Sequence, residues 1–161
     1  MKRNRPGNRI LAYTVVLYLV GLAFGMVLLR NQQLPPGSRR NFLEVFAANY
    51  WHIFLIWLLG FSLTGLLFTS VLIFFRGFLF GALMALLISF NLQRLFFLLL
   101  LEIALFLPAF FPVSCFSLAL SMRSFLSLFS YQNFNLKFYL NIMIIATIFI
   151  VIYSIIIVIR V

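Results

Sequence analysis

The sequence predicts an all-α protein, a polytopic bundle of about five transmembrane helices. Of its 161 residues, 65% are hydrophobic, whereas soluble globular proteins have about 45 to 50%. The apolar residues form runs of about 20 or more, the length that spans a roughly 30 Å hydrocarbon core. Lysine and arginine mostly flank these runs, as is typical of membrane-spanning segments. We therefore expect a single transmembrane domain over residues 1–161.

The first span is expected at residues 10–29. The preceding segment "MKRNRPGNR" has the positive charge of a signal peptide, but the apolar run is long enough to span and no cleavage pattern follows it. We interpret the run as an uncleaved helix whose N-terminus lies in the cytoplasm. Residues 30–40 contain Pro35, Pro36 and Gly37, which indicates an external loop.

The second and third spans are expected at residues 41–59 and 66–90. Asn41 and Glu44 have the spacing of a capping box that begins the second helix. A turn must follow, because residues 41–90 are too many for one span. The best place is "GFSLTG", residues 60–65, where glycines and hydroxyls permit unusual backbone angles. In an alternative interpretation the second helix ends at Arg76 and residues 77–90 form a re-entrant segment.

The fourth and fifth spans are expected at residues 95–122 and 138–159. Pro108 and Pro112 remove backbone donors inside the fourth span, so this helix should kink where it faces protein. Five spans place the C-terminus outside. The positive-inside rule supports that orientation only narrowly, because six basic residues flank the spans on the inside and five on the outside. The inner residues are Lys2, Arg3, Arg5, Arg9, Arg123 and Lys137, and the outer ones are Arg30, Arg39, Arg40, Arg94 and Arg160.

The inventory of reactive side chains argues against catalysis. The chain has no Asp, and its only carboxylate side chains, histidine and cysteine are Glu44, Glu102, His52 and Cys115. These residues cannot form a Ser-His-Asp triad, a two-histidine zinc site or a two-aspartate membrane protease. The net charge of +10 comes mostly from membrane-flanking residues, which argues against nucleic-acid binding. We expect no enzyme, no cofactor and no metal site.

Three ionisable residues, His52, Arg76 and Glu102, lie deep within the spans, and ionisable residues at such positions are candidates for a functional role. We expect Glu102 to form a structural ion pair with Arg76 or with His52. Two alternatives stay open: Glu102 is unpaired and neutral, or the three residues form a proton or substrate pathway. Arg76 could also snorkel toward one membrane surface.

Small residues recur at four-residue intervals in two spans, where another helix backbone can approach closely. They are Gly21 and Gly25 in the first span, and Gly77, Gly81 and Ala85 in the third. We expect packing within the chain, and the alternative is the binding of another protein.

Serines mark one face of the fourth span, and we expect that face to be buried rather than to line a conduit, with the hydroxyls bonded to carbonyls of their own helix. These serines are Ser114, Ser117, Ser121 and Ser124.

Two motifs resemble the stage II sporulation protein M family of bacterial membrane proteins. They are "ANYWHIFLIWLLGFSLTG" and "FFRGFLFG", and the segment with Glu102, Pro108 and Pro112 is similar to a later helix of the family. The similarity covers about residues 41–123. The motif positions are Asn49, Trp57, Gly60, Gly65, Gly77 and Gly81, with Arg76 where the family usually has Asn or Lys.

The resemblance implies a multi-pass protein of the cytoplasmic membrane of a bacterium, a non-catalytic scaffold of the sporulation engulfment machinery. Its expected partners are the lipid bilayer and two peptidoglycan-degrading enzymes, an amidase and a lytic transglycosylase. The alternative function is a small transporter or channel subunit that uses Arg76, Glu102 and His52 in a polar pathway. Oligomer formation is compatible with either function.

Overall fold

A computed structural model describes residues 6–29, 41–88, 92–127 and 136–160. The regular structure of this part of the chain is helical throughout, which confirms the predicted fold class. Its elements are α1 (Pro6–Leu29), α2 (Phe42–Leu59), α3 (Gly65–Ile88), α4 (Leu92–Leu101), a π-helical segment (Glu102–Phe106), α5 (Leu107–Ser127) and α6 (Leu136–Arg160). The expected external loop, residues 30–40, lies outside the described residues.

Five helical stretches in the described chain are long and apolar enough to cross a membrane. They are Asn8–Leu29, Phe42–Leu59, Gly65–Ile88, Leu92–Ser124 and Lys137–Ile159. The fourth stretch joins α4, the π segment and α5 into one span. α3 runs without a break through Arg76, so the re-entrant alternative is wrong. Arg76 can lie in mid-helix because its charge is balanced inside the bundle, as described below.

The start of α2 differs from the prediction of a capping box. Asn41 occupies the N-cap position with extended backbone angles, but its side chain makes no cap hydrogen bond. The backbone N–H groups of Glu44 and Val45 bond instead to the carbonyl oxygen of Asn41. At a membrane surface water can satisfy the remaining donors of a first turn, so a side-chain cap is not required.

The turn between α2 and α3 lies at residues 60–64, but the expected unusual backbone angles are wrong. Gly60 is right-handed helical, with φ −57° and ψ −26°, and no glycine in the described residues has a positive φ. The glycines are needed for space instead. A Cβ on Gly60 would lie 3.0 Å from the Cα of Ser117, and one on Gly65 would overlap the carbonyl oxygen of Leu59.

The two glycine ridges pack against each other, and α1 and α3 form the most extensive helix pair of the bundle. A Cβ on any of the four glycines would overlap a backbone carbonyl oxygen of the facing helix. The pairs are Gly21 with Phe74, Gly25 with Phe78, Gly77 with Tyr18, and Gly81 with Leu22. Residue numbers rise together along both helices, so α1 and α3 are parallel. The ridges therefore serve packing within the chain, where Cα–H groups face carbonyl oxygens.

Gly81→Leu should destabilise the bundle by about 1 to 3 kcal/mol, the usual range for overpacking. The added side chain would meet backbone atoms of Leu22, which cannot move aside as a flexible side chain would. Leu83→Phe is the control, because Leu83 is 38% exposed. Thermal unfolding of both variants in detergent measures the difference, and equal stability would contradict the packing role of Gly81.

Candidate functional site

Arg76 and Glu102 form an ion pair near the centre of the bundle. Arg76 lies half-way along α3, and Glu102 is the first residue of the π segment. The guanidinium Nη2 lies 3.0 Å from Oε1 and 3.2 Å from Oε2 of the carboxylate. Arg76 is 8% exposed and Glu102 0%. Of the partners considered from sequence, Arg76 rather than His52 therefore meets Glu102.

Two tyrosines complete the coordination of the Glu102 carboxylate. The Tyr18 hydroxyl of α1 donates to Oε1 at 3.2 Å, and the Tyr153 hydroxyl of α6 donates to Oε2 at 2.9 Å. Each carboxylate oxygen therefore accepts two hydrogen bonds. A buried ion pair is favourable only when further hydrogen bonds satisfy its remaining lone pairs, and the tyrosines provide them. We call Tyr18, Arg76, Glu102 and Tyr153 the central cluster.

Sequence reasoning missed both tyrosines, although a signal was present. Tyrosine in membrane helices usually lies at the water interface, whereas Tyr18 lies in the middle of α1 and Tyr153 lies two turns from the end of α6. A buried tyrosine usually has a hydrogen-bond partner for its hydroxyl. Tyrosines far from both ends of a span therefore predict a buried acceptor. Glu102 is the only carboxylate deep within a span, since Glu44 lies in the first turn of α2.

An aromatic ring covers one face of the Arg76 guanidinium. The Cζ atom of Arg76 lies 3.8 Å from the ring centroid of Phe106, a cation–π contact worth about 2 kcal/mol when it is desolvated. Phe106 is fully buried and packs against Phe110 and Tyr153. The Nε of Arg76 has no hydrogen-bond partner in the described residues.

The π segment lies one turn before the position where a kink was expected from the prolines. The backbone N–H of Leu107 bonds to the carbonyl oxygen of Glu102, five residues back, in the pattern of a π-helix. Pro108 follows directly, and Pro112 lies inside α5. Neither proline has an N–H to donate. The Arg76 guanidinium bonds to the Glu102 carboxylate one turn before these prolines.

His52 is not a member of the central cluster, although it packs beside the helix turn that carries Arg76. Its Nδ1 bonds to the carbonyl oxygen of Ala48 at 2.8 Å, and its ring stacks on Phe75 with a centroid distance of 6.3 Å. It forms no hydrogen bond with Arg76 or Glu102. Among the described residues no three of His, Cys, Asp and Glu come together in a way that could hold a metal ion.

The serine face of α5 binds the end of α2. Ser114, Ser117 and Ser121 are fully buried. The Ser117 hydroxyl donates to the carbonyl oxygen of Ile56 at 2.6 Å, and the Ser121 hydroxyl donates to that of Ser62 at 2.6 Å. The expectation that these hydroxyls bond to their own helix is therefore wrong for Ser117 and Ser121. The carbonyl oxygens of Ile56 and Ser62 also accept backbone N–H groups, from Gly60 and Gly65, so each serine supplies a second donor to an oxygen that has two lone pairs.

Two further hydroxyls, one from α3 and one from α6, form hydrogen bonds beside this contact. Thr69 of α3 bonds to Ser117 at 3.2 Å, and the Tyr139 hydroxyl of α6 donates to the carbonyl oxygen of Trp57 at 2.6 Å. The Trp57 ring stacks on Tyr139 with a centroid distance of 5.4 Å. Of the motif residues, Trp57, Gly60 and Gly65 therefore lie here. Asn49 is buried nearer the N-terminal end of α2, and its side-chain amide donates to the carbonyl oxygen of Val45 at 2.7 Å.

A comparison with protein-family models places these elements in one family. The model described as Stage II sporulation protein M matches residues 14–159, a range that includes all four residues of the central cluster. Searches of curated proteins and of solved structures found no significant match.

Removing one member of the ion pair should cost more than removing both. Arg76→Leu and Glu102→Leu each leave a lone buried charge, and truncation of one buried partner typically costs about 3 to 5 kcal/mol. The double variant should recover part of that loss. Thermal stability in detergent and expression level measure the effect. Single variants as stable as the parent, with no coupling in the double, would rule out a structural ion pair.

The serine contacts allow a matched comparison on one helix face. Ser117→Ala should destabilise the bundle by about 1 to 3 kcal/mol, because it leaves a buried carbonyl and the Thr69 hydroxyl with fewer partners. Ser114→Ala should be neutral or stabilising, because the buried Ser114 hydroxyl has no partner in the described residues. Thermal unfolding of both variants tests this difference, and a greater loss for Ser114→Ala would contradict it.

Proposed function

Because the chain belongs to the stage II sporulation protein M family, we propose that it is a non-catalytic scaffold that holds peptidoglycan-degrading enzymes at the cytoplasmic membrane of a bacterium. It is a multi-pass membrane protein, with five apolar helices long enough to span. The proposed partners are an amidase and a lytic transglycosylase, and the proposed setting is engulfment during sporulation.

The central cluster is the observation that carries this proposal. Both oxygens of the Glu102 carboxylate are occupied by hydrogen bonds from Arg76 and from one tyrosine each. The donors come from α1, α3 and α6, and the acceptor comes from the π segment. The membrane-buried charge is therefore used to hold four elements in fixed positions. A fixed bundle is what an anchoring protein requires.

The alternative function, a small transporter or channel subunit, has less support. A transport pathway needs ionisable groups that follow one another toward a water-filled space. Glu102 is fully buried, Phe106 covers Arg76, and His52 bonds elsewhere. No contact in the described part of the chain links His52 to the central cluster by hydrogen bonds.

Crosslinking in native membranes tests the scaffold function directly. A tagged copy would replace the family member of a spore-forming host, and proteins crosslinked to it during engulfment would be identified by mass spectrometry. We expect capture of an amidase and a lytic transglycosylase by the parent chain and by the control Leu83→Phe. Arg76→Leu should lose both, because the bundle is destabilised, and the double variant with Glu102→Leu should regain part of the capture.

Two results would contradict the scaffold function. The first is that neither enzyme is captured although the tagged chain reaches its normal level. The second is that the parent shows an ion or solute flux in proteoliposomes, and that Arg76→Leu and the double variant abolish this flux while they stay as stable as the parent. The second result would favour the transporter.

A further inference from the structure

His52 presents a polar ring to the interior of the membrane and forms no hydrogen bond with the central cluster. It lies 10 residues after Phe42 and 7 before Leu59, the ends of α2. At a rise of 1.5 Å per residue it is about 10 to 15 Å from either end of the helix. The side chain is only partly buried by the bundle. Its ring therefore lies at the depth of the hydrocarbon and at the border of the lipid-facing surface.

One nitrogen of this ring has no partner. The carbonyl oxygen of Ala48 can only accept a hydrogen bond, so Nδ1 of His52 carries the proton. In the neutral ring Nε2 is then an acceptor. His52 makes no other hydrogen bond among the described residues. An acceptor without a donor in hydrocarbon is unfavourable, and this favours a donor from outside the chain.

The adjacent residue offers such a donor. Trp51 is 58% exposed, and its indole N–H makes no hydrogen bond in the part of the chain that the structure describes. Tryptophan in membrane proteins is usually found in the interfacial belts, where water can accept from the indole. In the middle of a span it lacks that acceptor. The same surface of α2 therefore presents one unpaired donor and one unpaired acceptor at the same depth.

The spacing of the neighbouring residues is that of a helix–helix seam. Ala48, Trp51, Leu55 and Leu58 follow one another at intervals of three, four and three residues, the interval pattern of paired helices. Ala48 and Leu58 are exposed, and Leu55 is partly exposed. The small side chain of Ala48 permits close approach beside the two polar groups. Glu44 continues the spacing at the membrane surface, where two copies would bring like charges together, so the seam ends at Ala48.

We propose that a second copy of this chain packs on the seam of α2, about a two-fold axis normal to the membrane. A two-fold interface joins one surface patch to itself, so a patch with both a donor and an acceptor is complementary to its own copy. Trp51 of each copy donates to Nε2 of His52 in the other. Two parallel α2 helices place these groups at equal depth. The dimer does not depend on the proposed scaffold function, since it requires no other protein.

Energy transfer between labelled copies in proteoliposomes tests the dimer. The purified chain, labelled at its N-terminus with a donor or an acceptor dye, is measured over a range of protein-to-lipid ratios. His52→Phe keeps an aromatic ring on Phe75 and removes the acceptor, and Trp51→Phe removes the donor. Each should raise the dissociation constant about tenfold or more, because each removes both interhelical hydrogen bonds. Val16→Ala, an exposed change on α1, should leave it unchanged.

The double variant distinguishes this pairing from a general loss of contact. Since either single change already breaks both hydrogen bonds, the dimer of the double variant should be no weaker than that of the weaker single variant. Thermal stability of His52→Phe equal to that of the parent shows that the fold is intact. The proposal would be wrong if the affinity losses of the two single variants add in the double variant, or if His52→Phe leaves the dissociation constant unchanged.

Disulfide crosslinking identifies what covers the seam. With Cys115→Ser as background, Leu58→Cys should form a crosslinked dimer in native membranes, and Val16→Cys should not. A chain that is monomeric in proteoliposomes at every ratio, with Leu58→Cys crosslinking only to a different protein in native membranes, would overturn self-association and assign the seam to that protein.

Discussion

The carboxylate of Glu102 must be neutralised in a region from which water is excluded, and the arrangement of the helices follows from this requirement. Charges interact strongly in such a medium, but a carboxylate and a guanidinium both lose their hydration on entering it. Attraction between them compensates only when every remaining lone pair is also satisfied. Tyr18 and Tyr153 satisfy them from helices that are distant in sequence, so the position of one carboxylate fixes α1, α3 and α6 together.

Close packing of α1 on α3 makes this coordination possible. Gly77, next to Arg76 in sequence, leaves space for the backbone of Tyr18, whose carbonyl oxygen a Cβ would overlap. The same approach brings the Tyr18 hydroxyl within 3.2 Å of Glu102. The arginine and the glycines of "FFRGFLFG" therefore have one joint role: the glycines bring a helix close, and the arginine supplies the charge that this helix helps to hold. In lipid the hydrophobic effect does not favour helix–helix association, because lipid tails are as apolar as the side chains. Close packing and hydrogen bonds of this kind therefore stabilise the bundle.

The sequence was sufficient for the features that depend on composition and on rare residues. Apolar runs of spanning length predicted five helices, and the scarcity of charge within the spans left few candidates for an ion pair with Glu102. It was insufficient where many residues share the required chemistry. Six tyrosines and many serines are present, and only the three-dimensional arrangement shows that Tyr153 faces Glu102 or that Ser117 faces the end of α2. The turn at Gly60 was placed correctly, but sequence could not distinguish a glycine needed for backbone angle from one needed for space.

The order of these residues along the chain has a consequence for biosynthesis. Arg76 precedes Glu102 by 26 residues, so the third span enters the membrane ahead of its counter-ion. On insertion scales an arginine at a helix centre costs roughly 2.5 to 3.5 kcal/mol, whereas each Leu, Ile, Phe or Val contributes roughly −0.3 to −0.6. The apolar residues of α3 outweigh its one arginine, so the span can insert alone. Tyr18 and Arg76 are then already in the bilayer when Glu102 arrives, and Tyr153 follows last. The carboxylate thus never enters the membrane ahead of the cation that neutralises it, and the final span supplies its last hydrogen bond.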